Sequence, residues 1–237
     1  MLSSKTFYTY FANFYSDYSI LKKDYLLAVN NFIKSESKSP QSIIDVGSGD
    51  GIRGKEIANL LGIDAITLVE NSKCMFNLSK KIHGATLINK DISSNDFKLE
   101  NKYDVVTCLW NVIGHIPNFK RKRALENLAS LVKDNGVIFL DVNNRYNISQ
   151  YGIKSSVINI IKDLLNKKSS NGDFILTINI PKREIQTVVH IFSPKEIENL
   201  ISSAGLNVEK RLIINYKSGE IKKYVWNGQL IYKLSKK

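Results

Sequence analysis

The amino-acid sequence predicts an α/β fold with a parallel sheet, and three observations support this prediction. After Pro40, short apolar runs alternate with helical stretches, which is typical of βαβ units. The first apolar run ends in the turn "DVGSGDGIRG", which contains Gly47, Gly49, Gly51 and Gly54. A chain of 237 residues can also bury a sizeable core, so we expect one domain with an insertion.

The part of the chain before Pro40 is predicted to be helical. From Phe7 to Ser19 aromatic residues recur at spacings of three and four, so we expect one helix with an aromatic face that packs on the rest of the protein. A second amphipathic helix is predicted over 19–35, and "SESKSP" ends it. We interpret residues 1–39 as an amino-terminal helical cap.

The next segment, 40–143, is predicted to be the ligand-binding core. Its five apolar runs are predicted to be parallel strands at 42–46, 65–70, 85–89, 103–110 and 136–143. Helices are predicted between them near 55–61, 72–82 and 120–132.

Beyond Asn143 the alternation stops. A helix over 155–167 and two alternating strands around the turn at 181–183 are predicted to form an insert over 144–192. The closing segment, 193–237, starts with a helix in which Ser193 is the N-cap, Pro194 the first residue and Glu196 the capping-box partner, and Gly205 ends it. Two strands at 206–215 and 228–234 follow.

Composition excludes several classes of protein. No apolar run approaches the roughly 20 residues that span a bilayer, and the amino terminus lacks the order of a signal peptide, so we expect a cytoplasmic protein without membrane contact. Cys74 and Cys108 lie in no metal-binding pattern, so we expect no metal site. The net charge of +12 would attract phosphates or an acidic membrane surface through a general field, and the basic residues cluster in "KRKR" at 120–123 and after Leu206.

The glycine-rich turn indicates close approach of the backbone to a ligand, because glycine lacks a side chain and permits positive φ. A dinucleotide motif fits only from Gly49, two residues too far from the strand. Asp45 before the turn would repel a pyrophosphate but suits an amine. Glu70 at the second strand end suits ribose hydroxyls, and Asp91 past the third suits an adenine amino group. The three carboxylates predict a ligand with amine, ribose and adenine but no phosphate.

Four segments in the right order, "DVGSGDG", "LVENS", "NKDIS" and "NGVIFLDV", resemble the motifs of the class I S-adenosylmethionine-dependent methyltransferases. The resemblance is firm over 40–143 and looser over the closing helix and strands. It implies a doubly wound, mostly parallel seven-stranded sheet whose last strand inserts antiparallel between its neighbours. It also implies S-adenosylmethionine as the cofactor.

The resemblance implies a set of cofactor-binding residues. The glycines would lie against the methionine and ribose, Glu70 would bind the ribose hydroxyls, and Asp45 would face the ammonium group through water. Asn71 and Met75 would flank the adenine. The full set is Asp45, Gly47, Ser48, Gly49, Gly51, Glu70, Asn71, Met75, Asp91, Ile92 and Leu109.

Substrate-side residues are expected in two places. The loop after the fourth strand, which faces the methyl group in this family, contains Trp110, Asn111 and His115. His115 is the candidate catalytic residue, as a general base with an unperturbed pKa of about 6.5, or it only caps the next helix or packs beside the adenine. After the fifth strand, Arg145 could clamp an acidic group of the substrate or form a local salt bridge.

Asn144 and Tyr146 add polar atoms beside Arg145. The small-molecule members of the family fold their amino-terminal segment over the cofactor. By that likeness of layout, Tyr10, Tyr15 and Tyr18 are expected to line the substrate pocket.

The leading functional hypothesis is methyl transfer by in-line displacement to a nitrogen or oxygen of a small molecule, by a monomer or homodimer. The first alternative is an RNA methyltransferase, which the net charge favours but which lacks an NPPY-type motif and an appended RNA-binding module. The others are a catalytically silent S-adenosylmethionine-binding protein and an NAD-dependent oxidoreductase.

Overall fold

The computed structural model describes residues 1–165, 168–181 and 183–237. The helices are α1 (Ser4–Phe11), α2 (Tyr15–Ile20), α3 (Lys23–Glu36), α4 (Ile52–Leu60), α5 (Lys73–Ser79), α6 (Asn118–Leu131), α7 (Ile148–Tyr151), α8 (Ile153–Leu165) and α9 (Pro194–Ser203). The strands are β1 (Ile43–Val46), β2 (Ile66–Val69), β3 (Ala85–Ile88), β4 (Tyr103–Cys108), β5 (Val132–Val142), β6 (Asp173–Ile180), β7 (Arg183–His190), β8 (Leu206–Ile214), β9 (Ile221–Lys222) and β10 (Gln229–Lys236).

Within the described residues, eight strands form the central sheet in the order β3-β2-β1-β4-β5-β10-β8-β9. Strands β1 to β5 are parallel, and β10 runs antiparallel between β5 and β8. This confirms the predicted doubly wound sheet with an antiparallel last strand. The prediction of seven strands missed β9, which has two residues and is too short to show an apolar pattern.

The core lies on both faces of the sheet because successive strand residues point to opposite sides. On one face, Ile43 of β1 packs with Val29 of α3 and Ile57 of α4. On the other face, Ile44 packs with Leu125 of α6. The sheet is therefore covered by helices on both sides, which leaves its ligand site at the carboxyl ends of the strands.

The amino-terminal segment differs from the single helix predicted over its aromatic stretch. It forms α1, a 3₁₀ turn at Ala12–Phe14 and α2, so the chain bends midway. The first part is held by β7, since the Leu2 amide donates to the Gln186 carbonyl at 2.8 Å and Phe7 packs on Ile185. The bend directs rings from both helices toward the same part of the molecule, which one straight helix would not do.

The insert contains α7, α8 and the two-stranded sheet of β6 and β7. Helix α8 and this hairpin agree with the helix and the two strands that the sequence predicted. Residues 166–167 of the predicted helix and residue 182 of the predicted turn lie outside the described residues. The Ser193–Glu196 capping box at the start of α9 is confirmed. The division into cap, core, insert and closing segment stays a prediction.

Two kinds of feature are absent from the described residues. No helix there is long and apolar enough to cross a membrane. No group of three or more His, Cys, Asp or Glu side chains in the same residues could hold a metal ion.

Candidate active site

A cavity of about 610 Å³, which we call the outer cavity, lies at the carboxyl ends of the central strands. It adjoins the point between β1 and β4 where the strand order reverses, which is where open α/β sheets bind ligands. The residues predicted to bind the cofactor that line it are Gly47, Gly49, Glu70, Asn71, Met75, Asp91, Ile92 and Leu109.

The turn after β1 approaches this cavity closely. Gly47 and Gly49 have φ of +73° and +60°, in the left-handed region that favours glycine. A Cβ on Gly47 would lie 2.5 Å from a methyl group of Val112, and one on Gly49 would lie 3.3 Å from both the Met75 methyl and the Tyr15 hydroxyl. These close contacts and the positive φ together require glycine at both positions of a turn that lines the cavity.

The Glu70 carboxylate is fixed beside this turn before any ligand binds. Its two oxygens accept hydrogen bonds from the backbone amides of Gly49, at 2.9 Å, and Ser72, at 2.7 Å. Burial raises the pKa of Glu70, and these amides oppose the rise. One bond to each oxygen leaves further lone pairs, so the carboxylate can still accept two hydroxyl groups.

Asp91 offers a second acceptor at the far end of the outer cavity. Its Oδ1 accepts hydrogen bonds from the backbone amide and the hydroxyl of Ser93, at 2.8 and 2.7 Å. Both bonds go to Oδ1, and Oδ2 takes no part in them, so Oδ2 can accept a hydrogen bond from a ligand. Ile92 and Met75 are buried beside it and supply apolar walls.

Asp45 lies behind the turn and does not line either cavity. The Thr107 hydroxyl donates to its Oδ1 at 2.6 Å, and burial raises its pKa to about 6. Asp141, at the end of β5, is also buried with a raised pKa, and Arg53 opposes the rise at both carboxyls. The Arg53 Nε donates to Asn30, but its two terminal nitrogens are buried without a partner among the described residues.

Two other residues predicted to contact the cofactor lie off the cavity walls. Gly51 has φ of +79° at the start of α4, and a Cβ there would lie 2.6 Å from Leu68. Ser48 is buried, and its amide donates to the Val69 carbonyl. Both shape the turn, and their contact with a cofactor stays a prediction.

A second cavity of about 330 Å³, the inner cavity, adjoins the outer one, and Tyr8, Tyr15, Trp110 and His115 line both. It is closed by α1, α2, α7 and the β6–β7 hairpin. Its aromatic walls are Phe7, Tyr8, Phe11, Tyr15, Tyr18, Trp110, Tyr151, Phe174 and Tyr216. Tyr15 and Tyr18, which were predicted to line the substrate pocket, lie on its wall, and their contact with a substrate stays a prediction.

The loop between the two cavities has a strained backbone at Trp110 and Asn111, with φ of +62° and +60°. The left-handed conformation costs roughly 1–2 kcal/mol for most residues, and asparagine adopts it more readily than tryptophan does. The Asn111 amide donates to Asp141 at 2.9 Å, and its side chain bonds the His190 carbonyl and the Asn143 amide. These bonds hold the Trp110 ring over the inner cavity, where it stacks on Tyr18 and donates to the Tyr216 hydroxyl at 2.9 Å.

His115 occupies the junction of the two cavities. Its Nε2 lies 3.2 Å from the Tyr8 hydroxyl, and its Nδ1 is buried without a partner among the described residues. Burial lowers its pKa to about 4, so the ring is uncharged at neutral pH. The position fits the prediction, but the low basicity makes His115 a weak general base.

Four residues that were predicted to contact the substrate line neither cavity, so the structure does not support that prediction for them. The Arg145 side chain is buried and donates to Asp163 at 2.7 Å, and it also pairs with Glu196. Tyr146 donates to the same Asp163, and Asn144 donates to backbone carbonyls at residues 225 and 228. Tyr10 is 40% exposed, under the Arg183 guanidinium. These polar groups are satisfied by the protein itself.

Sequence reasoning missed Tyr8, Arg53 and Asp141. Tyr8 belongs to the aromatic stretch, but only the bend between α1 and α2 shows which of its rings reach the site. Asp141 interrupts the apolar run "VIFLDV", which is a readable signal of a buried carboxylate that needs partners. Arg53 carries no such signal, because an arginine in the first turn of a helix usually points to solvent.

The sheet order, the antiparallel β10 and the carboxylate at the end of β2 define the class of Rossmann-like methyltransferases. Comparison with known proteins agrees: a family model described as "Methyltransferase domain" matches residues 20–211. The chain therefore belongs to the class I S-adenosylmethionine-dependent methyltransferases. It is an enzyme of that class, and its cofactor is S-adenosylmethionine.

Three similar proteins extend this comparison. An uncharacterised protein of Methanocaldococcus jannaschii, MJ1252, is 24% identical over 95% of this chain and 85% of its own. A DhpI–SAM–HEP complex superposes with a TM-score of 0.70 at 15% identity, over 98% of this chain and 95% of that one. A possible histamine N-methyltransferase of Thermotoga maritima superposes at 0.65 with 17% identity, over 98% and 99% of the two chains.

The outer cavity fits this cofactor. Gly47 and Gly49 line it without side chains, and the anchored Glu70 carboxylate retains acceptor capacity. Asp91, Ile92 and Met75 give the rest of the wall a mixed polar and apolar character that suits a flat purine. The two carboxylates and these apolar side chains are thus compatible with a nucleoside.

Proposed function

We propose that this enzyme transfers the methyl group of S-adenosylmethionine to a nitrogen or oxygen of a small molecule that binds in the inner cavity. The observation behind this proposal is the junction of the two cavities at Tyr8, Tyr15, Trp110 and His115. The cofactor supplies an electrophilic methyl group on a sulfonium, so the chain's main task is to hold the acceptor in line with it. These four side chains surround the position that we propose for the acceptor.

The size and lining of the inner cavity support a small acceptor. Its volume lies at the lower end of the roughly 300–1,000 Å³ range of ligand pockets. Among the described residues, its walls include no Asp, Glu, Lys or Arg side chain. Burial raises the pKa of Tyr8, Tyr15 and Tyr18, so these phenols stay neutral and act as hydrogen-bond donors or acceptors.

The distribution of charge supports a small molecule over RNA. In the "KRKR" segment, Arg121 is buried and donates to the Ile116 carbonyl, while Lys122 pairs with Glu126. Five basic residues of the closing segment also form ion pairs: Lys210, Arg211, Lys222, Lys233 and Lys236. Several basic residues of the two clusters that favoured RNA in the sequence are therefore engaged in contacts within the protein, while the net charge of +12 is unchanged.

For the cofactor we assign Glu70 to the ribose hydroxyls, Asp91 and Ile92 to the adenine edge, and Met75 and Asn71 to the adenine faces. Glu70 supports this assignment best, because two backbone amides hold it at the rim of the glycine turn. Leu109 and the Gly47–Gly49 backbone would complete the wall around the methionine portion.

Arg53 extends this assignment to the amino-acid end of the cofactor. A buried guanidinium with two unpartnered nitrogens is costly unless a ligand or water pairs with it. The α-carboxylate of S-adenosylmethionine is a planar anion that matches this fork. Asp45 and Asp141, near the same guanidinium, suit the neighbouring ammonium group.

The proposal is tested by a transfer screen with methyl-labelled S-adenosylmethionine over neutral aromatic amines and phenols, aliphatic amines, carboxylates and bulk tRNA. We expect label on an amine or hydroxyl compound and none on tRNA. Trp110→Ala should reduce transfer while leaving the affinity for S-adenosylhomocysteine within about threefold, because the Trp110 ring stacks on Tyr18 of the inner cavity whereas Glu70 lines the outer cavity alone.

Glu70→Ala is the matched variant on the cofactor side. It should weaken S-adenosylhomocysteine binding by roughly tenfold to a hundredfold, because charge-assisted hydrogen bonds are lost. Label on tRNA that depends on Trp110 would overturn the small-molecule proposal. Tight cofactor binding without transfer to any class of acceptor would favour a silent binding protein.

A further inference from the structure

Helix α8 presents its apolar side to solvent and its polar side to the protein. Ser156 and Asn159 are buried against the protein. Asp163, on the same side of the helix, bonds Arg145. The large aliphatic side chains point outward, with exposed fractions of 67% for Ile153, 43% for Val157, 40% for Ile158, 47% for Ile161, 76% for Leu164 and 82% for Leu165. This is the reverse of a surface helix in a soluble domain, which buries its apolar stripe.

The polar contacts explain why the helix does not turn its apolar side inward. Asn159 donates to the Arg145 carbonyl at 3.3 Å, and Asp163 accepts from the Arg145 and Tyr146 side chains at 2.7 and 2.6 Å. Rotating α8 would break these bonds and leave the buried Arg145 short of a partner. A contiguous apolar stripe that is held outward in this way indicates an interaction surface.

The charges beside the stripe are positive. Lys154 and Lys162 are exposed, and Lys168 follows the helix. Asp163, the acidic residue of α8, is committed to Arg145. An outward apolar stripe flanked by lysines on a protein of net charge +12 complements an anionic lipid surface, where aliphatic side chains enter the acyl boundary and lysines meet the headgroups.

A second copy of the chain is a poorer occupant. A twofold interface through α8 would bring the lysines of both copies together. A 13-residue helix is about 20 Å long and about 10 Å wide, or on the order of 200 Å², whereas a stable interface buries about 800 Å² per partner. A bilayer has no such minimum area, because it surrounds the stripe with hydrocarbon.

We propose that α8 is a membrane-docking helix, which lies in the interface of an anionic bilayer with its aliphatic stripe in the acyl boundary. This differs from the sequence-based expectation of no membrane contact, although the net charge of +12 would attract an acidic membrane surface. Helix α7, which directly precedes α8, contributes Gln150 and Tyr151 to the inner cavity, so docking places the acceptor site near the lipid surface. The proposal does not depend on the nature of the acceptor.

The test is flotation of the full chain with vesicles of phosphatidylcholine alone or mixed with phosphatidylglycerol. We expect the protein to float with the mixed vesicles, and less so as salt rises. L164D/L165D should reduce partitioning by about tenfold or more, because two aliphatic groups no longer enter the membrane. K154E/K162E should reduce binding to the mixed vesicles and leave the low binding to phosphatidylcholine unchanged.

The matched control is L27D/I221D, which places two aspartates at exposed aliphatic positions of α3 and β9 and should float like the wild type. Thermal melts and S-adenosylhomocysteine binding verify that each variant is folded. Failure of the wild type to float with mixed vesicles, or equal flotation of L164D/L165D, would overturn the proposal. So would a stable wild-type dimer in sedimentation that L164D/L165D dissociates, since a second copy would then cover the stripe.

Discussion

The Arg53 Nε donates to Asn30, and its two terminal nitrogens are buried without a hydrogen-bond partner among the described residues. Its charge lowers the pKa of the buried Asp45 and Asp141, against the rise that burial causes. Position 53 falls in the first turn of α4, next to the glycine turn that we propose binds the cofactor. A cation therefore lies close to the buried Asp45 and Asp141. This combination of charges is the basis for proposing that the site accepts a zwitterionic amino-acid group.

We predict that Arg53→Met abolishes recognition of the cofactor's α-carboxylate. The wild type should prefer S-adenosylhomocysteine to an analogue without that carboxylate by about tenfold or more, because charged hydrogen bonds contribute about 1.5–3 kcal/mol. The preference should fall to near unity in the variant, as measured by titration calorimetry. The ratio is insensitive to a general loss of affinity, and the exposed Arg123→Met is the control. An unchanged ratio would show that the carboxylate of the cofactor does not bind at Arg53.

His115 gives a prediction about pH. Because burial lowers its pKa to about 4, the ring is already deprotonated at every pH well above that value. We therefore expect the wild type and His115→Gln to show the same shape of kcat against pH between about pH 6 and 8. A wild-type inflection near pH 6.5 that His115→Gln lacks would show that His115 titrates as a general base.

Some of the site could be read from the sequence, and the rest depended on tertiary contacts. Glu70 and Asp91 were predictable because parallel strands end at one edge of the sheet, so polar residues after apolar runs meet there. Arg145 also follows an apolar run, yet its partners are Asp163 and Glu196, far along the chain. The sequence around a charged residue at a strand end does not show whether that residue pairs with a substrate or with a buried acid.

At the scale of elements, the sequence predicted which segments are helices and strands better than which way they face. Helix α8 has a clear helical period, but the period does not reveal that Ser156 and Asn159, rather than Ile161 and Leu164, contact the protein. The amino-terminal bend was missed for a similar reason. Spacings of three and four fit either one helix or two short ones, and contacts with β7 decide between them.

The turn after β4 provides a prediction on stability. Asn111→Ala removes the side-chain bonds to the His190 carbonyl and the Asn143 amide and keeps the left-handed strain. We expect the free energy of unfolding to fall by about 3 kcal/mol, and Asn111→Gly to be about 1 kcal/mol less damaging because glycine tolerates positive φ. Urea denaturation measures both.

Asn13 serves as the control for that comparison. It is exposed in the 3₁₀ turn between α1 and α2. There glycine should be equal to or worse than alanine, because only the entropy cost of glycine remains. If glycine were no better than alanine at position 111, the positive φ would not be a source of strain.

For the whole molecule, the cofactor site is built at the expense of stability. Asp45 and Asp141 are buried among apolar strands with raised pKa values, and Trp110 and Asn111 hold a strained backbone beside them. These buried charges and the strained backbone persist because packing of the sheet between two helix layers holds them in place. The two cavities thus lie between a rigid sheet edge and the amino-terminal helices, which are anchored through β7.

This cost predicts how the stability of the cofactor-free protein depends on pH. The pKa of Asp45 is about 6 when folded, against about 3.9 for an unfolded aspartate. Between these values the folded state holds a proton that the unfolded state has lost, so the contribution to stability is complete below about pH 4 and disappears as pH rises through 6. The advantage of Asp45→Asn over the wild type should therefore grow by on the order of 2 kcal/mol between about pH 4 and 7. Urea denaturation at each pH measures it, with exposed Asp64→Asn as the control, and a constant difference would mean that Asp45 does not titrate in this range.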